Sequence, residues 1–174
     1  VKSGKALYVG LSNYDGVTME RASKILTYAN VPFIINQNRY SIFDRTIENN
    51  GLKLKSQKLS KGIIAYSPLA QGLLTDKYID GIPNDSRIAA DGRYLKKDAI
   101  TRDRLRQIKE LNDLAKERGE TLAQMALRWV LKDEDITSVL IGASKPSQII
   151  ENLKIINKNN LTDLELKKID DITL

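Results

Sequence analysis

Residues 62–78 of the chain read GIIAYSPLAQGLLTDKY, and this segment contains the clearest strand signal in the sequence. The small and apolar residues at 62–65 are typical of a short buried strand, which Pro68 ends. The polar residues at the end of this strand and in the loop after it are Tyr66, Ser67, Lys77 and Arg87. A strand that ends in polar groups and leads into a loop with two cations is typical of an α/β protein that binds an anionic cofactor.

Three more apolar segments have the length and composition of strands, and amphipathic helices separate them. The predicted strands are residues 6–10, 33–35, 62–66 and 138–142. The predicted helices lie near residues 17–29, 45–58, 105–119, 121–130, 146–156 and 162–169. Apolar strands that alternate with amphipathic helices imply an α/β fold, in which helices cover a parallel sheet, and we expect one domain over residues 1–174.

The helix periodicities also predict which side chains enter the core. The first helix should bury Met19, Ala22, Ile25, Leu26 and Ala29. The helix that follows the fourth strand should bury Ile149, Ile150, Leu153 and Ile156. Trp129 falls on the apolar face of a helix that starts at Thr121, where Gln124 has the capping-box spacing, so we assign it to the core.

Composition excludes several classes of protein. The 174 residues contain no Cys and no His, so disulfides, thiol nucleophiles, Cys/His zinc sites and a histidine general base are absent from the chain. No apolar run approaches the roughly 18 residues of a membrane span, and a Cys-free chain without a secretory signal is expected in the cytoplasm. The net charge of +6 comes from dispersed lysines, which favours a solvated surface over nucleic-acid binding.

Polar residues follow every predicted strand, at the edge where ligands of parallel α/β folds bind. These residues are Ser12 and Asn13, Gln37, Tyr66 and Ser67, and Gly142 with Ser144. Each is small or neutral and can form hydrogen bonds, so together they could hold an amide and a sugar, with phosphates on Lys77 and Arg87. Any one of them could instead be a helix cap or turn residue. Their combination favours a nucleotide site.

Three motifs resemble those of the aldo-keto reductase family. They are GKALYVGLSN at residues 4–13, YSPLAQG at 66–72, and Gly142 and Ser144 followed by Gln148, Glu151 and Asn152. Residues 78–87 resemble the branch that contains the potassium-channel β subunits and bacterial glyceraldehyde-type reductases. Family members are (β/α)8 TIM barrels that bind NADPH and reduce aldehydes or ketones. The resemblance spans nearly the whole chain and implies the C-terminal half of such a barrel, units 5–8 with the terminal helix.

The resemblance implies a role for each matching residue. Ser12, Asn13 and Gln37 would hold the nicotinamide carboxamide, and Tyr66 would stack on the ring. Ser67, Pro68, Leu69 and Gln71 would line the pyrophosphate, and Lys77 and Arg87 would bind phosphates. Gly142, Ser144, Gln148, Glu151 and Asn152 would hold the adenosine end. A preference for NADP over NAD would depend on Ser144, Lys145 and Gln148.

The resemblance also implies what the chain lacks. In the family, the catalytic tyrosine and its aspartate, lysine and histidine partners belong to the first four βα units, so no catalytic residue is expected here. Three interpretations stay open: half of a reductase that is inactive alone, a non-catalytic nucleotide-binding or regulatory module, and a truncated gene product. Four strands of a barrel leave two unpaired edges, so we expect self-association or pairing with a separate N-terminal half.

Overall fold

The computed structural model describes residues 1–79 and 100–174. Within these ranges, four strands form one sheet in the order β1-β2-β3-β4, and every neighbouring pair is parallel. The strands are β1 Val9–Ser12, β2 Phe33–Arg39, β3 Gly62–Tyr66 and β4 Ser138–Val139. The predicted α/β fold with a parallel sheet is confirmed.

The helices of the described ranges alternate with these strands. They are α1 Gly16–Tyr28, α2 Thr46–Asn49, α3 Leu52–Leu59, α4 Arg102–Glu117, α5 Leu122–Val130, α6 Pro146–Leu153 and α7 Asp163–Thr173. Short 3-10 helices occupy Ala70–Gly72, Asp76–Tyr78 and Lys154–Asn157. Among the helices that the structure describes, none is both long and apolar enough to cross a bilayer.

Local sequence signals account for most helix ends. The capping boxes predicted at Thr121 and Thr162 both form, with Gln124 and Glu165 as the reciprocal partners. The helix predicted over residues 45–58 is divided into α2 and α3, because Gly51 takes a left-handed conformation with φ of 76°.

The core lies between the helices and one face of the sheet. Trp129 of α5 and Tyr40, which directly follows β2, are buried, and their ring centroids are 5.1 Å apart. The ammonium of Lys132 lies 3.6 Å from the centroid of the Trp129 ring, close enough for a cation–π interaction. The assignment of Trp129 to the core is therefore confirmed.

One predicted apolar face does not enter the core. The side chains expected inside on α6 and on the 3-10 helix after it are exposed instead, namely Ile149, Ile150, Leu153 and Ile156. On α1, Met19 is buried as expected, but Ile25 is 68% exposed. These side chains belong to helices beside the outer strands β4 and β1. Helical periodicity predicted the apolar face beside β4, but the pattern does not say what covers that face. The predicted face of α1 does reach the core, through Met19 and partly through Leu26.

Three strands differ in extent from their predictions. The first was predicted at residues 6–10, whereas β1 spans Val9–Ser12. The sequence indicated a second strand that ends at Ile35, whereas β2 continues for four more residues to Arg39. The predicted strand stops before these polar residues, but residues 36–39 pair with β3 as part of the sheet. β4 is shorter than expected, although the N–H of Leu140 still donates to the carbonyl oxygen of Ala65 at 2.8 Å.

Candidate functional site

One face of the sheet is covered and the other is open. On β3, Ile63 and Ala65 are buried, whereas Ile64 between them is only half-buried. The row of the sheet that contains Ile64 continues through Gln37 to Ser12 on one side and to Ser138 on the other. Side chains of one row lie on the same face of a parallel sheet. We call the face defined by these four residues the open face.

Ser12 and Gln37, both predicted site residues, are direct neighbours on the open face. They are paired in the register of β1 and β2, and Ser12 is exposed while Gln37 is half-buried. Adjacent strands are about 4.8 Å apart, so a hydroxyl and a carboxamide stand side by side here. Such a pair can donate to and accept from a bound amide group.

The turn after β1 connects Asn13 to the two neighbouring strands. The backbone N–H of Asn13 donates to the carbonyl oxygen of Gln37 at 2.8 Å. Asn13 has a φ of 59°, in the left-handed region that Asn tolerates better than most residues. The phenol of Tyr66, at the end of β3, donates to Asn13 Oδ1 at 2.9 Å. The structure thus brings together Asn13, Gln37 and Tyr66, which the sequence had placed in one site.

The segment that follows β3 has an unusual backbone. Positive φ values occur at Ser67 (53°), Ala70 (46°), Gln71 (60°) and Gly72 (100°). Each left-handed non-glycine residue costs about 1–2 kcal/mol, and such residues cluster at functional segments. Pro68 is buried and Leu69 half-buried, which fixes the segment against the protein. Gln71 Oε1 is buried without a hydrogen-bond partner among the described residues.

Of the two predicted phosphate-binding cations, the structure places only Lys77. Its backbone N–H donates to Thr75 Oγ1 at 3.2 Å, which caps the 3-10 helix Asp76–Tyr78. Lys77 is exposed, and the adjacent Tyr78 is buried in the core. Arg87 lies outside the described residues. The position of Lys77 is thus fixed by a capped turn that packs on the core.

The N-terminus of α6 forms a second cluster of predicted site residues. Gln148 Oε1 accepts hydrogen bonds from the backbone N–H groups of Ser144, at 2.8 Å, and Lys145, at 3.3 Å. It also accepts from the hydroxyl of Ser144 at 3.3 Å. Gly142, Ser144 and Gln148 are all exposed. A side-chain oxygen therefore occupies the two N–H groups that directly precede the first turn of α6.

Of the last two predicted site residues, Glu151 contacts α5 and Asn152 is buried. The side chain of Gln124 donates to Glu151 Oε1 and to its backbone oxygen, both at 2.9 Å. Glu151 also forms an ion pair of 2.6 Å with Lys154, and Asn152 is buried. The structure thus gives Glu151 a contact with α5 besides any contact with a ligand.

Tyr40 lies near the strand ends but is unsuited to proton transfer. It is fully buried, donates to the carboxylate of Glu48 and accepts from the ammonium of Lys132. Burial, with a further contribution from Glu48, raises the pKa of the Tyr40 phenol far above its ordinary value. Tyr40 is therefore part of a buried network with Glu48 and Lys132.

Sequence reasoning missed two residues that support this site, Asn36 and Asn38. Both side chains donate to the backbone oxygen of Tyr14 at 3.2 Å, and Asn36 also donates to Asn38 Oδ1 at 2.7 Å. The signal in the sequence was two carboxamides spaced by two residues, on either side of Gln37. Strand alternation places them on the face opposite Gln37.

Two cavities of the described structure lie away from the strand ends. Two cavities of about 380 and 630 Å³ lie beside α4 and α7, and both are lined by Leu114, Glu117 and Lys168. None of the predicted site residues lines them. The strand ends instead form an open surface of neutral donors and acceptors. Within the described ranges, no group of acidic, His or Cys side chains could hold a metal ion.

A family model and two curated relatives each match nearly the whole chain, and all belong to one family. The sequence model described as "Aldo/keto reductase family" matches residues 1–173. The L-glyceraldehyde 3-phosphate reductase of Escherichia coli (strain K12) is 43% identical over 173 residues, which are 98% of this chain and 50% of that protein. A putative voltage-gated potassium channel subunit beta of Schizosaccharomyces pombe is 35% identical over 177 residues, 99% of this chain and 52% of that protein. The chain thus spans about half the length of these curated relatives.

Proposed function

The chain belongs to the aldo/keto reductase family, and from this we propose that it is the NADP(H)-binding half of a reductase that converts aldehydes or ketones to alcohols. The observation that carries the proposal is the group formed by Asn13, Gln37 and Tyr66 at the ends of three parallel strands. A carboxamide and a flat ring are the features of nicotinamide that such a group would recognise.

Each part of the site would have its own task in binding the cofactor. The hydroxyl of Ser12 and the carboxamides of Asn13 and Gln37 would orient the nicotinamide amide. The ring of Tyr66 would stack on the nicotinamide, which, when bound, supplies the hydride for carbonyl reduction. Lys77 and Arg87 would bind the pyrophosphate, beside the segment of Ser67, Pro68, Leu69 and Gln71.

The cluster at α6 would bind the adenosine end of the cofactor. The exposed residues Gly142, Ser144 and Gln148 would face the ribose and its 2′-phosphate, and Lys145 would add a positive charge. Glu151 and Asn152 would complete this end. Since a 2′-phosphate is the feature that separates NADP from NAD, this cluster would set the cofactor preference.

We further propose that the chain is inactive alone. The residues that would protonate the carbonyl oxygen are the catalytic residues expected from the first four βα units of a complete barrel. The substrate pocket would depend on the same units. The name of the Escherichia coli relative suggests a short phosphorylated aldehyde as one substrate class for the completed enzyme.

Exposed apolar side chains support a partner at both outer strands. Near β1 the exposed side chains are Leu7, Tyr8, Val17, Ile25 and Tyr28, and near β4 they are Leu140, Ile149, Ile150, Leu153 and Ile156. Both outer strands have one edge without a neighbouring strand in the described sheet. We propose that a complementary half or a second copy covers these edges, because eight strands close a barrel whose interior side chains can fill.

A regulatory module is the second candidate function. The similarity to a putative potassium channel subunit beta favours it, since that relative is named for a channel rather than for a reaction. Both candidates require a working cofactor site. They differ in whether the chain gains carbonyl reduction when an N-terminal half is supplied.

Titration of the purified chain with NADPH tests the proposal, with the fluorescence of Trp129 and of the cofactor as readouts. We expect saturable binding that weakens about tenfold in Lys77→Ala and in Arg87→Ala, because each loses a charge-assisted contact to phosphate. Lys109→Ala, an exposed lysine on α4, is the matched control and should bind like the wild type. Absence of binding at millimolar NADPH would refute a working site in this half.

Analytical ultracentrifugation tests the partner proposal separately. A concentration-dependent dimer, or a stable complex with a co-expressed N-terminal half, is the expected result. Replacement of Ile150 and Ile156 by Asp should abolish either assembly, because both side chains are exposed on the β4 side. The proposal would be contradicted if the chain stayed monomeric at all concentrations and formed no complex with the N-terminal half.

A further inference from the structure

Strand β2 presents different polar residues on its two faces. Gln37 points to the open face, while Asn36 and Asn38, its neighbours in sequence, lie on the covered face. Asn36 is 0% and Asn38 is 6% exposed, so neither can contact a ligand at the open face. A buried carboxamide is tolerated only if it forms hydrogen bonds, so the partners of these two residues show what they do.

Both carboxamides hold the same backbone atom. Asn36 Nδ2 and Asn38 Nδ2 each donate to the carbonyl oxygen of Tyr14 at 3.2 Å. Asn36 Nδ2 also donates to Asn38 Oδ1 at 2.7 Å, which fixes the two side chains relative to each other. Asn36 Oδ1 is buried and has no hydrogen-bond partner among the described residues. A pair that leaves a buried acceptor unpaired in order to hold one carbonyl is arranged for that carbonyl rather than for general packing.

The held carbonyl lies one residue beyond Asn13. Between Asn36 and Asn38, the backbone oxygen of Gln37 accepts from the N–H of Asn13 at 2.8 Å. Three consecutive residues of β2 therefore fix the turn that carries Asn13 in its left-handed conformation. Asn13 Oδ1 in turn accepts the hydrogen bond from the phenol of Tyr66.

We propose that Asn36 and Asn38 are positioning residues for the nicotinamide end of the cofactor site. They act through the Tyr14 carbonyl, which fixes Asn13 and, through Asn13, the phenol of Tyr66. This inference rests on the proposed cofactor binding and adds a group of residues on the opposite face of the sheet. The N-terminus of α6 lies outside this chain of contacts, so its affinity for the adenosine end is independent of both residues.

The test uses two ligands that separate the ends of the site. NADPH contacts both ends, whereas adenosine 2′,5′-bisphosphate contains only the adenosine end. In Asn36→Ala and in Asn38→Ala, we expect the Kd for NADPH to rise about fivefold, the effect of one lost hydrogen bond to a carbonyl oxygen. The Kd for the bisphosphate should stay unchanged. The two substitutions are tested separately. Each variant keeps one of the two hydrogen bonds to the Tyr14 carbonyl oxygen, so the turn stays partly fixed.

Asn112→Ala is the matched control. Asn112 is also a buried asparagine, at 6% exposure, but it lies on α4, which packs on α5 and α7. The Asn112→Ala variant should lower the free energy of unfolding, but it should not change the ratio of the Kd for NADPH to the Kd for the bisphosphate. Equal weakening of both ligands in the Asn36 and Asn38 variants, or no weakening of either, would overturn the inference.

Hydrogen exchange provides a readout that does not depend on a ligand. The amide of Asn13 should lose protection about tenfold in Asn38→Ala relative to the amide of Leu111 in α4, because the turn opens locally. Unchanged relative protection at Asn13 would overturn the inference. If the wild-type chain binds neither ligand, the proposed function fails, and the exchange experiment still decides this inference.

Discussion

The two clusters of the proposed cofactor site are built in opposite ways. At the ends of β1, β2 and β3, the side chains of Asn13 and Tyr66 are joined to each other, and the open face in front of them is accessible. Before the first turn of α6, the oxygen of Gln148 accepts from the backbone N–H groups of Ser144 and Lys145. If the cofactor binds as proposed, the first cluster would meet it on an accessible face, while the second would first have to release the Gln148 side chain.

The strand-end cluster would be preorganised for binding, whereas at α6 the ligand would compete with the Gln148 side chain. A preorganised group loses little conformational freedom when a ligand binds, so its substitution lowers the affinity in proportion to the contacts that are lost. A group that is capped internally must first release its cap, so its affinity depends on how easily the cap moves and on its charge. The neutral carboxamide of Gln148 is a cap that a phosphate can displace, because the phosphate carries charge and accepts the same hydrogen bonds.

The largest expected effect comes from charging this cap. In Gln148→Glu, a carboxylate would keep the same N–H groups and repel the 2′-phosphate, so the Kd for NADPH should rise about tenfold or more. NADH lacks that phosphate, and its Kd should change little. The free energy of unfolding should stay constant or increase by about 0.3–1 kcal/mol, because a negative charge favours a helix N-terminus. Parallel titrations with the two cofactors measure the effect.

Gln107→Glu, on α4, introduces the same charge away from the cluster and is the control for Gln148→Glu. It should leave both cofactors unaffected. If Gln148→Glu weakened NADPH and NADH equally, the cap would not compete with the 2′-phosphate, and the contrast between the two clusters would be lost.

A smaller effect is expected at Asn13, where backbone and side chain can be separated. Asn13→Ala should lower the free energy of unfolding by about 1–2 kcal/mol, the cost of a left-handed φ for alanine. Asn13→Gly should recover most of this stability, because glycine accepts that conformation. Both variants lack the oxygen that holds Tyr66, so both should weaken NADPH about fivefold, an effect of about one hydrogen bond. Full NADPH affinity in Asn13→Gly would show that only the backbone matters here.

Local patterns in the sequence were sufficient for the number and order of the strands and for most helix ends. The strand at residues 62–66 and the caps at Thr121 and Thr162 depend on neighbours within a few residues, and all three are as predicted. The convergence of Asn13, Gln37 and Tyr66 followed from one rule, that the carboxyl ends of parallel strands meet at the same edge. The cofactor roles of these residues remain predictions.

Features that depend on distant contacts could not be predicted. Periodicity showed that α6 has an apolar face, but not that Ile150 and Ile156 would be exposed, because the pattern contains no information about what the face meets. Asn36 and Asn38 fall beyond the predicted second strand, which ends at Ile35, although β2 includes both. Their hydrogen bonds to Tyr14 span 22 and 24 residues, a distance that no local rule covers.

A further test removes the hydrogen bond between Asn13 and Tyr66 but keeps the aromatic ring. Tyr66→Phe loses the phenol that donates to Asn13 and keeps the aromatic face. We expect the Kd for NADPH to rise about threefold, because one exposed hydrogen bond is lost and stacking is kept. Adenosine 2′,5′-bisphosphate should bind as before. A loss as large as that in Tyr66→Leu, which also removes the ring, would contradict a stacking role for the aromatic face.

The smallest expected effect is that of low pH, which should change the Asp15 cap beside the first cluster but not the Gln148 contact of the second. Asp15 follows the Asn13 turn and caps α1 by accepting from the N–H of Thr18 at 2.7 Å, and this hydrogen bond lowers the pKa of its carboxyl. A carboxyl whose pKa is lowered by folding stabilises the fold above its ordinary pKa, and that contribution is lost as the pH falls through the lowered value. Gln148, the cap of α6, does not titrate. Amide chemical shifts followed from neutral to acidic pH should therefore show Thr18 changing with a midpoint below the ordinary pKa of aspartate, while Ser144 stays constant. In Asp15→Asn the acid transition at Thr18 should disappear, and a transition that persisted would assign it to another carboxyl.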